Sequence, residues 1–251
     1  MSIILNEQEW AEEAINSCSL GKKPSETFSH IARYYFDQNY SKPKVKQLLE
    51  TFLLKCDTSA SIPKWTPTIE YAIRRASKYE TIRIDSIDIT QPEMDKIDSL
   101  DGKQIKRLAF TLLCLSKYWD AVNPNCDHWI NNKDTEIMRL ANISTSVKRQ
   151  SQMYHDLNKL KMIRFSKKID NTNVRVEFIT PGKTVLSISD FRNLGYQYLK
   201  YHGESFFECA NCGITVRCKN NGVGRKQKYC NDCAMKIHMQ QKINSAMRKN
   251  Q

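Results

Sequence analysis

The chain has 251 residues, of which 40% are apolar and 26% charged, and this is long enough for two or three domains with their own cores. No stretch approaches the roughly 20 consecutive apolar residues that a membrane span requires. Residues 1–10 lack the basic start and long apolar segment of a secretory signal. We therefore expect a cytoplasmic protein without a membrane partner.

Positive charge is concentrated in the second part of the chain. Residues 1–100 carry 13 basic and 15 acidic side chains (13 − 15 = −2), whereas residues 101–251 carry 26 basic and 12 acidic ones (26 − 12 = +14). Such asymmetry indicates a polyanionic partner on the basic side. We expect the N-terminal part to contact a protein partner or a second subunit of a homodimer. A basic surface that only maintains solubility is the alternative.

Residues 1–100 are predicted to form a helical domain. Apolar residues recur at helical spacing in four segments, namely 7–18, 24–36, 44–56 and 69–79. Pro63 and Pro67 place Trp65 in a connection. Residues 81–85 and 86–89 alternate as short strands do, and Thr90 with Glu93 forms a capping box that starts another helix. This part contains no metal-ligand set, nucleotide-binding loop or catalytic constellation.

Three helices and two strands are predicted between residues 104 and 179. A long helix over 104–121 precedes a short one over 133–141, a turn over 142–145, and a third helix over 146–160. Ser144 or Thr145 can cap the third helix. Strands at 162–170 and 174–179 follow, joined by turn residues 170–173.

This order, with the Leu-Ala-Asn-Ile-Ser-Thr turn, resembles the winged helix-turn-helix family, and we assign residues 101–180 to such a domain. The resemblance implies that the third helix enters the DNA major groove while the hairpin follows the backbone. Lys148, Arg149 and Gln152 would then approach base edges. The residues implied to meet phosphates are Lys159, Lys167, Lys168 and Arg175. Winged helices also serve as protein-docking modules, which is the alternative for the same segment.

Two Cys-x-x-Cys pairs lie near the end of the chain. Cys209 and Cys212 are separated from Cys230 and Cys233 by seventeen residues, a spacing typical of four-cysteine zinc sites. Four thiolates close the coordination sphere, so we predict one structural Zn²⁺. Two thioredoxin-like redox pairs are the competing interpretation, although no βαβ pattern surrounds them. Cys218 and His238 break the spacing and rank below the four.

Residues 205–251 resemble zinc ribbons and treble-clef knuckles, in which the second cysteine pair often opens a helix. Here a helix is expected from Cys233 to about Asn244, and residues 181–204 are expected to form a linker with a short helix. Between the pairs, Arg225, Lys226 and Lys228 suit phosphate contact. Binding of RNA or of a protein is an alternative use of this knuckle. The separate cysteines Cys18, Cys56 and Cys114 are predicted to be packing residues.

Together these patterns predict a mainly α protein with small β-hairpins, consisting of a helical N-terminal domain, a central winged helix and a C-terminal zinc ribbon or treble-clef-like knuckle. We expect a non-enzymatic protein that binds double-stranded DNA, since no residue set has catalytic spacing. The combination of a Lys- and Asn-rich composition, a winged helix and a short C-terminal knuckle resembles uncharacterised proteins of bacteriophages and mobile elements of low-GC Gram-positive bacteria. That resemblance implies a transcription regulator or a replication accessory factor. The alternative is an interaction protein that binds a host polymerase or defence effector.

Overall fold

The computed structural model describes residues 3–167, 173–218 and 227–249. These residues are mainly helical, with ten α-helices, small antiparallel sheets and a C-terminal cysteine cluster. None of the helices in the described ranges combines the length and apolar character needed to cross a membrane. The chain divides into two compact units, residues 2–85 and residues 86–251.

Four helices form the first unit. They are α1 (Glu7–Asn16), α2 (Pro24–Asp37), α3 (Lys42–Cys56) and α4 (Ile62–Ala76). Asn6 caps α1, because its side-chain oxygen accepts hydrogen bonds from the backbone N–H groups of Gln8 and Glu9. The core combines the apolar stripes of the helices, and Phe28, Ile31, Leu49, Leu53 and Ile69 are fully buried in it. The predicted helical character of this part of the chain is confirmed.

Helix α4 begins earlier than the sequence predicts. It starts at Ile62 rather than at residue 69, with Pro63 in the first turn and Pro67 inside the helix. A proline within a helix removes one N–H donor, which is why the sequence favours a connection at these two prolines. The Trp65 ring between them packs edge-on against Phe28, with ring centroids 6.0 Å apart. Burial of this aromatic surface offsets the missing hydrogen bond.

A buried charged network connects α1 and α2. The Glu7 carboxylate is fully buried and accepts hydrogen bonds from His30, from Arg33 and from the backbone N–H of Ile82. Burial alone would raise the pKa of Glu7. The hydrogen bonds from His30 and Ile82 and the charge of Arg33 outweigh burial, so that the pKa lies below its ordinary value.

We predict that Glu7→Gln destabilises the first unit by about 3–5 kcal/mol, because Arg33 would remain buried without its carboxylate. Urea unfolding measures this decrease in stability, and Glu9→Gln on the exposed side of α1 is the control. Since the folded pKa of Glu7 is lowered, its contribution is present above the unfolded pKa of about 4.3 and disappears as the pH falls through the folded value. Equal stability of both variants, or no difference in acid sensitivity, would contradict this role of Glu7.

The second unit contains the other elements. In chain order they are β1 (Ile87–Thr90), α5 (Gln91–Asp98), α6 (Lys103–Val122), a 3-10 helix (Pro124–Cys126), β2 (Trp129–Ile130), α7 (Asp134–Leu140), α8 (Val147–Lys159), β3 (Ile163–Phe165), β4 (Val174–Val176), β5 (Thr184–Ile188), α9 (Leu194–Tyr201), β6 (Phe206–Glu208), β7 (Thr215–Arg217) and α10 (Asn231–Lys249). The predicted helices over 104–121, 133–141 and 146–160 correspond to α6, α7 and α8. The described parts of the two predicted strands are shorter than expected.

Helix α6 is the centre of this unit. Every residue from Leu108 to Ser116 is buried, so the helix is covered on all sides. It packs against helices α5, α7, α8 and α9 and against strands β1, β2 and β4. A helix that is apolar around its whole circumference is expected in the interior of a domain. Through these contacts α6 positions α8, which carries predicted nucleic-acid contacts, and α9, which packs against β6 and β7.

The second unit begins at Ser86, earlier than the boundary predicted at residue 100. Strand β1 pairs with β5 in antiparallel register, Ile87 opposite Ile188, so residues 86–98 belong to this unit. For the same reason residues 181–204 are not simply a linker, since they contain β5 and α9.

The predicted capping box is present, and Glu93 accepts hydrogen bonds from the N–H of Thr90 and from the Lys117 ammonium, at 2.8 and 2.7 Å.

A three-stranded antiparallel sheet follows α8. Its strand order is β2-β4-β3, with Ile163 opposite Val176 and Trp129 opposite Arg175. Strand β2 has only two residues and no alternating pattern of its own, so the sequence does not predict it. Pairing with β4 defines it as a strand. The tip of the β3–β4 hairpin, residues 168–172, lies outside the described residues.

The separate cysteines lie in different environments. Cys114 on α6 is fully buried, Cys56 at the end of α3 is half-buried, and Cys18 is exposed. Burial raises the pKa of Cys114 far above that of an ordinary thiol. The predicted packing role therefore fits Cys114, whereas Cys18 lies on the surface after the end of α1.

Candidate functional site

Two turns bring the cysteine pairs together. Cys209 and Cys212 lie in the turn between β6 and β7, where Gly213 adopts φ +73° and its N–H donates to the Cys209 carbonyl at 2.8 Å. Only glycine adopts this backbone conformation without strain. Cys230 immediately precedes α10, and Cys233 lies in its first turn. The backbone hydrogen bond from Ala210 to Lys228, at 2.9 Å, holds the two segments side by side.

The four sulfur atoms form a compact cluster. All lie within 4.8 Å of one another, and the Sγ atoms of Cys212 and Cys230 are 3.8 Å apart. In a tetrahedral site with metal–sulfur bonds of about 2.3 Å, the sulfur–sulfur separation is about 3.8 Å. Cys209, Cys230 and Cys233 are buried, with Ile214 and Val216 packed against them. The cluster could therefore hold one metal ion.

Hydrogen bonds to sulfur prepare the cluster for a cation. The N–H of Cys230 donates to the Cys209 sulfur at 3.2 Å, and the Asn211 amide donates to the Cys233 sulfur at 3.3 Å. Burial would raise the pKa of Cys209, but hydrogen bonds from the backbone of Cys230, Asn211 and Cys212 lower it to about 6. A thiolate at Cys209 is thus favoured. At Cys233 the Asn211 hydrogen bond, which lowers the pKa, is outweighed by hydrogen bonding with Cys230 and by burial, which raise the pKa to about 12. A bound metal ion would hold all four cysteines as thiolates.

The two lower-ranked ligands are not part of this group. Within the ranges that the structure describes, the metal-binding set consists of the four predicted cysteines. Cys218 is half-buried at the end of β7, and His238 is exposed on α10. The four-cysteine cluster predicted from spacing is confirmed. The identity of its metal remains a prediction.

A pair of asparagines connects this cluster with the turn between α7 and α8. Asn142 lies in that turn, and its side-chain amide donates to the Asn193 side chain at 2.9 Å. Asn193 in turn donates to the Thr215 carbonyl on β7 at 2.9 Å. Next to it, the Arg192 guanidinium donates to the Cys212 carbonyl at 2.6 Å. The cysteine cluster and the turn between α7 and α8 are therefore joined through the adjacent residues Arg192 and Asn193.

The predicted turn over 142–145 contains Asn142, but the sequence does not predict its contact with Asn193. Both adopt left-handed backbone conformations, with φ +54° at Asn142 and +56° at Asn193. Asparagine tolerates this region better than other non-glycine residues, so its presence in a turn is a weak local signal. The contact between residues 51 positions apart has no local signal.

Helix α8 presents a polar face to solvent. Lys148, Gln152 and Lys159 are exposed along one side together with His155, at spacings of three and four, and Arg149 lies beside them. Gln152 donates to Asp156 at 2.8 Å. The N-cap is Ser146, whose side chain accepts from the N–H of Arg149, rather than the predicted Ser144 or Thr145. Val147, the first residue of the helix, is 76% exposed.

The other predicted nucleic-acid contacts are distributed differently. Lys167 and Lys228 are exposed. Arg175 is largely covered, with 17% of its side chain exposed, and it forms ion pairs with Asp127 at 2.8 Å and Glu177 at 2.6 Å. Because both carboxylates already engage its guanidinium, Arg175 is a structural cation of the sheet. Lys168, Arg225 and Lys226 lie outside the described residues.

Comparison with known proteins gives no relatives from which a function could be transferred. No family model matches the chain, and neither curated proteins nor solved structures yield a match. Its function must therefore be inferred from the chemistry of the described residues.

We predict that replacing Cys209 and Cys212 together by serine abolishes metal binding and unfolds the segment from β6 to α10, because metal binding and folding are coupled at such sites. Metal content by elemental mass spectrometry and amide hydrogen exchange measure the two effects. Cys126→Ser with Cys218→Ser is the matched control and should retain the metal. A double variant of the cluster that still binds one metal ion would show that the ligands are wrongly assigned.

We predict that Asn193→Gly loosens the contact between the cysteine cluster and the α7–α8 turn. Glycine keeps the left-handed backbone but leaves the Asn142 amide and the Thr215 carbonyl without their partner, at a cost of about 1–3 kcal/mol. Hydrogen exchange should accelerate at residues 142–146 and in β7. Asn39→Gly replaces an exposed asparagine with φ +64° and is the control. Unchanged exchange at both segments would rule out the bridging role.

Proposed function

We propose that this protein binds double-stranded DNA through a winged helix-turn-helix formed by α6, α7, α8 and the sheet β2-β4-β3, and that the cysteine cluster binds one structural Zn²⁺. The observation that carries the DNA-binding proposal is the exposed face of α8. This face combines cationic and amide side chains on a helix that its own hydrophobic residues, Met153 and Leu157, fix to the core.

Zinc fits the donor set better than oxygen-preferring metals do. Four thiolates at tetrahedral spacing suit Zn²⁺ or an iron site, whereas oxygen-preferring ions such as Mg²⁺ and Ca²⁺ do not bind sulfur ligands of this kind. With all four positions supplied by cysteine, a bound zinc ion would have no open site for a substrate. Its contribution would be to fold β6, β7 and the start of α10 into one unit.

The order of elements supports the winged-helix proposal. A short strand between the first two helices pairs with the second strand of the hairpin, so that β2, β4 and β3 form one sheet beside α8. In a winged-helix arrangement α8 would enter the major groove and the hairpin would lie along the backbone. Arg149 and Gln152 have the forked geometry that distinguishes guanine and adenine. Lys159 and Lys167 would neutralise phosphates.

The biological role that we propose is regulation of transcription or assistance in replication, in keeping with the resemblance to phage and mobile-element proteins. The first unit would then contact a protein partner or a second copy. In this proposal the Asn142–Asn193 bridge also makes the orientation of α8 dependent on a folded cysteine cluster. Loss of zinc would therefore weaken DNA binding without removing any residue that touches DNA.

The proposal is tested by selecting bound sequences from a random double-stranded DNA pool with the zinc-loaded full chain at two salt concentrations. A compact enriched motif, together with affinity that falls steeply with salt, is the expected result. Absence of binding at low salt would overturn the proposal and favour a protein-docking role for the same helices. Preference for single strands would point instead to RNA-type recognition.

We predict that Arg149→Ala with Gln152→Ala relaxes the selected motif and costs about 1–3 kcal/mol for each base that is no longer recognised. Lys159→Ala with Lys167→Ala should instead weaken binding to all sequences alike and reduce the salt slope by about one for each phosphate that is no longer neutralised. Titrations at several salt concentrations separate these effects. Lys55→Ala with Lys64→Ala, exposed in the first unit, is the control. Unaltered motif and affinity in both pairs would exclude α8 as the DNA-binding element.

A further inference from the structure

Helix α10 extends beyond the cysteine cluster with an apolar stripe on its surface. The helix has 19 residues, which corresponds to about 28 Å at 1.5 Å per residue. Met235, Met239, Ile243 and Met247 are 62%, 63%, 49% and 63% exposed. Because they recur every fourth residue, each is turned by only about 40° from the previous one, and all four lie within one third of the helix circumference.

Two lysines lie on the same side of the helix as this stripe. Both Lys236 and Lys242 are exposed. Because seven residues complete almost two turns, Lys236 is turned by about 20° around the helix axis from Ile243, and Lys242 by about 20° from Met235. The segment 231–249 contains four basic residues and one acidic residue, a net charge of 4 − 1 = +3. An apolar stripe accompanied by lysines is complementary to an apolar groove that also presents carboxylates.

A second copy of α10 is a poor occupant for this face. Two such helices would bring a charge of +3 against +3, with lysines along the shared seam, and like charges in an interface oppose association. A DNA backbone would attract the lysines but would leave the methionines against phosphates. Methionine is flexible and polarisable and adapts well to apolar grooves of another protein.

We propose that the stripe of α10 docks into an apolar groove, rimmed by aspartate and glutamate, on a partner protein. The helix would lie in the groove and present its apolar side chains as anchors, one helical turn apart. This surface is separate from the exposed face of α8. The inference therefore does not depend on DNA binding.

Calcium-loaded calmodulin is an acidic protein with Met-rich apolar grooves. It is therefore a suitable probe for docking of the stripe. The zinc-loaded full chain is titrated with it by fluorescence anisotropy. We expect Met239→Lys with Ile243→Lys to weaken binding about tenfold or more, as for the removal of central apolar anchors. Gln241→Lys with Ser245→Lys adds the same charge at the same spacing on the opposite side of the helix, and should bind at least as well as the unaltered chain.

Calmodulin prepared free of calcium, with its grooves closed, should not bind. Each of four results would overturn the proposal. Absence of binding to the calcium-loaded probe, or equal binding by both lysine variants, would show that the stripe does not dock in such grooves. Dimerisation of the unaltered chain by light scattering, abolished only in the stripe variant, would identify a second copy as the occupant. Stripe-dependent binding to vesicles of anionic and zwitterionic phospholipid, without binding to the probe, would identify a lipid surface.

Discussion

The second unit depends on the complete burial of the central part of α6, residues 108–116. A helix that exposes none of nine consecutive residues must be surrounded, and here the surrounding elements come from both ends of the unit, from β1 to α9. Close packing allows little adjustment around such a helix. The position of α8 is therefore constrained by contacts on its buried side, to which the Asn142–Asn193 hydrogen bond in the preceding turn adds. Gly195 on α9 illustrates the tightness, since an added Cβ would lie 2.0 Å from the Ala141 carbonyl oxygen.

The cysteine cluster solves a different physical problem. Strands β6 and β7 have three residues each, and a pair of such strands is marginal without further support. Four sulfurs at tetrahedral spacing provide that support if a metal ion joins them. Asn193 and Arg192 then attach the small hairpin to the helical core through carbonyl groups at Thr215 and Cys212. The short spacing within each cysteine pair and the contacts of α9 with α6, β6 and β7 thus both hold the hairpin in place.

Much of this arrangement follows from local patterns. The helices α6 and α8 were predictable because their apolar residues repeat at helical spacing, and the four cysteines because two-residue gaps let both sulfurs of a pair reach one ion. Strand β2, the β1–β5 pair and the Asn142–Asn193 contact were not predictable, since each depends on a partner distant in sequence. The predicted start of helix α4 was wrong because burial of Trp65 overrode the proline signal. The ion pairs of Arg175 with Asp127 and Glu177 could not be predicted from the number of basic residues in the segment.

Because the nine cysteines lie in unequal environments, the number of thiols that an alkylating reagent modifies depends on whether metal is bound. Burial leaves Cys114 with a raised pKa and no access to reagents, and the pKa of Cys56 is raised to about 11, so neither offers a reactive thiolate near neutral pH. Cys209, by contrast, favours its thiolate form. While a metal ion occupies the four sulfurs, the targets of an alkylating reagent are therefore the exposed Cys18 and the half-buried Cys126 and Cys218. Loss of the ion would free four thiols, and unfolding of the segment from β6 to α10 would expose them to the reagent, so that the intact mass of the alkylated chain would report the metal state.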